Sequence, residues 1–214
     1  GEIAIVHLSL PAMGANHPYE AVPADHPLLL WLADIAAEQQ LPVDLHFDLV
    51  PETMPLPDAL RPNTANPPQL EPNIEAFKRL LAHNPKAVFI WSHVGFEPLL
   101  TRHPARVRQM LDSFPNLHMS FRLNRGAPRP AAALDPSGRV KPAWLTLIGD
   151  FPDRFMLGSD SFYGPGGSER GTNCCKTPRP DFPHIDAARP ALPLRSCESL
   201  HARYVAVTHR EAPA

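Results

Sequence analysis

Short apolar strand-like runs alternate with amphipathic helix-like segments along most of this chain, and that alternation restricts the fold more than any other feature. Strand-type runs lie at 3–10 (IAIVHLSL), 43–49 (VDLHFDL), 86–93 (KAVFIWSH), 117–123 (LHMSFRL) and 154–160 (RFMLGSD). Helical spacing of apolar residues covers 28–40, 73–84, 104–114 and 141–151, with Asp25 and Asn73 expected as N-caps of the first two. Five strands and four helices in strict alternation predict a parallel sheet with right-handed crossovers. The αβ turns are short, whereas the βα connections are long, among them a proline-rich stretch at 51–72. A (β/α) barrel distributes its loops this way, because its βα loops build the site while its αβ turns only close the scaffold. The expected fold is therefore α/β, a partial (β/α)8 TIM barrel. A doubly wound sheet is the competing architecture, but no strand is followed by the glycine-rich phosphate fingerprint that would favour it.

Three acid–base or metal-ligand residues sit where strands stop: His46, His93 and Asp160. The carboxyl ends of parallel strands are where such folds bind ligands. In VDLHFDL the alternation sets Val43, Leu45, Phe47 and Leu49 on one face and Asp44, His46 and Asp48 on the other. A parallel strand covered on both faces is usually apolar throughout, so the polar stripe points to a site or to an edge strand with one face in water. His93 follows an apolar run and precedes Gly95, which would let backbone approach a ligand; a hydrogen-bonded structural histidine is the plainer alternative. Asp160 directly follows a buried strand, where a carboxylate needs a partner or a metal unless it merely turns the chain. Three separate segments delivering these groups to one rim predict a metal-dependent hydrolase. The remaining histidines are weaker candidates. His17 and His26 lie in loop His-Pro dipeptides, His83 and His103 at helix ends, and His118 at the opening of a strand, where stability is the expected role.

Composition narrows the alternatives. At 214 residues and a formal net charge of −2, the chain has room for one well-buried domain and shows no basic, aromatic-interleaved face for nucleic acid. The longest apolar run, 27–37, is too short to span a bilayer and reads as a buried helix. The three cysteines, Cys174, Cys175 and Cys197, are odd in number and lack metal or redox spacing, so a reducing cytoplasm is expected. The 28 prolines predict long, rigid connections. Two boundaries follow, a barrel-like region over 1–162 and an irregular tail over 163–214. The tail has no sustained period, as expected of a divergent or disordered end or of one produced by an altered reading frame. Because Gly1 stands almost at the start of a strand, an upstream part is expected to be missing.

The segments PADHPLLLWLADIAAEQQLPVDLHFD, AHNPKAVFIWSHVGF and FPDRFMLGSD resemble the amidohydrolase-related family of metal-dependent hydrolases, a branch that also holds decarboxylases. The resemblance covers roughly 1–162 and implies strands 4–8 of the barrel. It implies His46 as a metal ligand, His93 as a ligand or as the residue that orients and deprotonates water, and Asp160 as a ligand that also handles protons. Glu2 corresponds loosely to a carboxylate position of some relatives. The implied cofactor is a divalent metal, zinc by donor type, and the implied partner is a small cyclic or acyl substrate with a C–N or C–O bond to hydrolyse. Arg122 and Arg125, at and just past the end of the fourth of the five strand-type runs, are candidates to hold a substrate carboxylate through a planar fork; solvated surface arginine is the alternative. The family's first strand carries an HxH pair, and this chain contains none. Low or no activity is therefore expected, with decarboxylation on the same scaffold, or a non-catalytic remnant that pairs with another polypeptide or misfolds, as alternatives; assembly as a homo-oligomer is left open.

Overall fold

The computed structural model describes residues 3–8, 21–95, 99–122, 132–158, 162–163 and 169–170. Its elements run β1 (Ile3–Leu8), α1 (Pro27–Gln39), β2 (Val43–Phe47), β3 (Met54–Pro55), β4 (Gln69–Leu70), α2 (Ile74–His83) and β5 (Phe89–Val94). They continue with α3 (Pro104–Ser113), β6 (Leu117–Arg122), α4 (Pro142–Asp150), β7 (Phe155–Gly158), β8 (Phe162–Tyr163) and β9 (Glu169–Arg170). The main sheet has five strands in the order β1-β2-β5-β6-β7, and every pairing in it is parallel. Each strand thus pairs with the next strand of the sheet in chain order. The reversal of direction that defines a doubly wound sheet does not occur among the described residues.

The helices lie on one face of this sheet, as the core shows. The main buried cluster joins Val43, Leu45 and Phe47 of β2, Phe89, Trp91 and Val94 of β5, Leu117, Met119 and Phe121 of β6, and Phe155 of β7. These meet the inward residues of all four helices, among them Ala33, Phe77, Val107 and Trp144. Phe77 packs edge-on against Trp91 with ring centroids 5.0 Å apart, and Phe121 stacks on Phe155 at 5.2 Å. The opposite face carries the other parity: Asp44 and His46 from β2, Ile90 and Ser92 from β5, His118 and Ser120 from β6. Register aligns Asp44, Ile90 and His118 across the three strands. Burial first, and then the Arg154 charge, hold the His118 imidazole below its ordinary pKa.

Local expectations needed correction in several places. His26, not Asp25, caps α1, its Nδ1 accepting from the Leu28 N–H at 3.2 Å, and His103 caps α3 in the same way at 3.4 Å. In both, proline at the first helical position fixes the backbone for helix entry. Asn73 sits at the N-cap of α2 but spends its amide elsewhere, accepting from Val50 N at 2.7 Å and donating to Asp48 O at 2.9 Å. The segment 27–37 is not a buried helix. Only Ala33 and Ala36 of α1 are fully buried, while Leu28 and Trp31 are exposed. Polar ties also bind this region to α2, with His83 3.0 Å from Asp34 of α1 and Arg79 2.7 Å from Asp25, just ahead of the helix.

The proline-rich stretch 51–72 is more than a connection. It contains the antiparallel β3–β4 pair and, with Val50 and Leu99, forms a second buried cluster of Leu56, Leu60 and Leu70. Beyond β7, a two-residue antiparallel pair, β8–β9, straddles the start of the tail, where no strand was expected. Residues 171–214, with all three cysteines, lie outside the described residues. Among the described residues no helix is long and apolar enough to cross a membrane.

Gly95 sits in a crowded, left-handed turn after β5. It takes a positive φ of +84°, and a Cβ built on it would lie 2.9 Å from Ala133 Cβ and 3.1 Å from Phe121 Cδ1. The space a Cβ would need is taken by Ala133, whose N–H donates to Gly95 O at 3.3 Å. Gly95→Ala is expected to cost about 1–3 kcal/mol, from backbone strain together with the steric contact. Urea unfolding should show a lower midpoint with an unchanged slope.

Candidate functional site

His46 is the fourth of five residues in β2, and His93 the fifth of six in β5. Since the two strands are adjacent and parallel, both imidazoles stand at the same, carboxyl-terminal, end of the sheet. Their ring centroids are 4.3 Å apart with the planes at 75°, an edge-to-face contact. Both residues are half-buried, so the rings are shielded and still within reach of a ligand.

A backbone irregularity brings His93 there. The β5–β6 register slips between Trp91 and Val94, where three steps along β5 match two along β6, from Met119 to Phe121. The extra residue makes a bulge, which bends a strand and re-aims a side chain. His93 takes φ +63° within it. This left-handed conformation is uncommon for residues other than glycine, with histidine among the more tolerant. The bulge also switches the parity of β5, so Val94 rejoins the helix-side core two residues after Ser92 has faced away from it.

Below the histidine pair, the Ser92 hydroxyl donates to Asp44 Oδ1. Burial is the main influence on the Asp44 carboxyl and raises its pKa above the ordinary value of 3.8, partly countered by the Ser92 hydrogen bond. The polar face thus holds a carboxyl group that keeps its proton to higher pH than a solvated one. Asp48 does not extend this stripe, contrary to the alternation expected of VDLHFDL. The strand ends at Phe47, and Asp48 is fully buried, paired with an equally buried Arg102 at 3.3 Å.

The segment after His46 is held from several directions. The Trp91 indole N–H donates to Phe47 O at 2.8 Å, and the Thr101 hydroxyl to Leu49 O at 2.5 Å. Asn73 contributes its two amide bonds, and its own N–H donates to Val50 O at 2.9 Å. These contacts explain how a short strand end presents a fixed imidazole.

The other expected site residues are less completely placed. Arg122 ends β6 and pairs in register with Gly158 of β7, so its backbone stands at the same end of the sheet. Its side chain, together with Arg125, Asp160 and Glu2, lies outside the described residues. Among the described residues no group of three His, Cys, Asp or Glu side chains is placed to hold a metal ion. As a donor set, His46 and His93 suit part of a zinc site, since two imidazoles bound at about 2 Å to one ion lie side by side; a third ligand has to come from elsewhere. Ser92 and Arg102 were not singled out from the sequence. Ser92 was hidden by the bulge, and Arg102 lies in a loop with no periodicity to read. No protein-family model matches the chain, and neither a curated protein nor a solved structure matches it.

The raised pKa of Asp44 has a testable sign. The folded form keeps this proton above pH 3.8, where the unfolded chain releases it. Over the window between the two values the native state binds more protons, so this group lowers stability as pH rises. Asp44→Asn keeps an acceptor for Ser92 and removes the ionisation. Its stability relative to the parent should improve as pH rises from 3.8 and level off above the raised value, as read from urea midpoints over a pH series. A difference independent of pH would contradict this.

Proposed function

We propose that the chain carries the strand-end histidines of a metal-dependent hydrolase, in a partial (β/α)8 barrel corresponding to strands 4–8. The observation that supports this reading best is the 4.3 Å contact between His46 and His93 at the same end of two adjacent parallel strands. Packing alone gives little reason to set two polar rings together there, whereas binding a shared ion does. The chain-ordered sheet, with helices on one face and polar groups on the other, suits a barrel wall whose polar side is the interior.

In this reading His46 is a ligand through its imidazole. His93 is a second ligand, or accepts the proton of an attacking water, a role suited to the side chain whose charge changes nearest neutral pH. Asp160 completes the donor set and handles protons. Arg122 and Arg125 hold the carboxylate of a small cyclic or acyl substrate. A divalent ion held by these residues, zinc by its donors, would supply Lewis acidity and lower the pKa of water toward ~7. The lack of an HxH pair leaves two or three protein ligands where catalytic zinc takes about three and keeps one position open. Weak metal binding and little turnover follow.

The test is zinc binding by the purified chain together with turnover of simple esters, lactones and amides. Zinc should bind weakly, in the micromolar range or above, and be lost in both His46→Ala and His93→Ala, with turnover near background. Zinc binding unaffected by either substitution would overturn the site. Stoichiometric zinc with turnover removed by His46→Ala would overturn the expectation of low activity.

A further inference from the structure

We propose that Arg102 is a positioning residue for the histidine pair, setting the geometry of His93 against His46 through the peptide that precedes His93. This rests on the reading of the two histidines as a functional pair. The Arg102 guanidinium is fully buried, donating from Nη1 to Ser92 O at 2.6 Å and from Nη2 to Asp48 Oδ1 at 3.3 Å, and its Cζ lies 5.4 Å from the centre of the Trp91 ring. One planar fork therefore joins the carbonyl immediately before His93 to a carboxylate two residues beyond His46. Trp91, beneath the guanidinium, itself donates to Phe47 O.

The Ser92 carbonyl belongs to the peptide plane whose rotation about the His93 N–Cα bond is the His93 φ angle. Fixing that oxygen fixes a rotation that stands at +63°. A non-glycine residue keeps such a conformation only where its surroundings over-determine it, and the bulge interrupts the β-ladder that would otherwise do so. Arg102 supplies the constraint, and Asp48 makes burial of its charge tolerable. The rigid, directional fork is the reason arginine stands here and lysine would not serve.

The experiment exchanges the buried pair for apolar residues of similar volume, Arg102→Met with Asp48→Leu, a replacement that buried ion pairs often tolerate. Thermal unfolding confirms a cooperative fold, and NMR reads the nuclear Overhauser contact between the His46 and His93 ring protons. The contact should be lost or weakened several-fold while the core resonances of Phe77 and Trp144 stay in place. If the double variant does not fold, Arg102→Lys, which keeps a cation beside Asp48 and cannot also reach Ser92 O, is read the same way. An intact ring contact in the folded variant overturns the proposal, since a purely structural pair would leave it unchanged. The readout needs no metal. Loss of the contact in a chain whose parent binds no zinc would uphold the positioning role and overturn the hydrolase reading instead.

Discussion

Direction is the constraint on which this structure depends. Five strands run the same way in chain order, so every carboxyl end falls on one side and every helix is led back over one face. The helix-side face satisfies the hydrophobic requirement almost alone, with Phe47, Phe77, Trp91, Phe121 and Trp144 in one cluster. The other face is thereby free to carry carboxyl, hydroxyl and imidazole groups. Asp44, His46, Ser92 and His118 occupy it at a cost in desolvation visible in the raised pKa of Asp44 and the lowered pKa of His118.

Much of this architecture was legible in the sequence, because hydrophobic period and strand ends are local properties. The alternation in VDLHFDL identified both faces of β2, and the strand-end positions of His46 and His93 located their common rim. The departures have non-local causes. Asp48 left the polar stripe because Arg102, 54 residues away, offered a buried partner. The pattern of 51–72 reads as loop, yet its leucines find Val50 and Leu99 and fold a small cluster of their own. α1 reads as buried because its sequence is apolar, but only Ala33 and Ala36 are fully buried, with Leu29, Leu30 and Ala37 packed partly buried against the core.

The bulge at His93 is the departure with most bearing on the site. Nothing in FIWSHVGF announces a left-handed residue before the glycine, and a regular strand would have placed Val94 and His93 on the opposite faces. The extra residue restores Val94 to the core and leaves Ser92 and His93 together at the rim, one bonded to Asp44 and the other against His46. Gly95 then absorbs the close approach of Ala133. The histidine pair thus sits at a backbone irregularity whose preceding carbonyl is bound by Arg102 and whose following glycine packs against Ala133.

Pairing each main-sheet strand with its successor also governs how the chain can assemble. Every new strand needs only the one before it as a template, and the loops to be closed are those of single crossover units. Each parallel pairing still has to wait for a whole crossover, as the Trp91–Phe47 and Arg102–Asp48 bonds do. As the polypeptide emerges from the ribosome, the sheet can grow vectorially, with the His46 end formed before the His93 end is synthesised and the ring contact completed only when the third main strand docks.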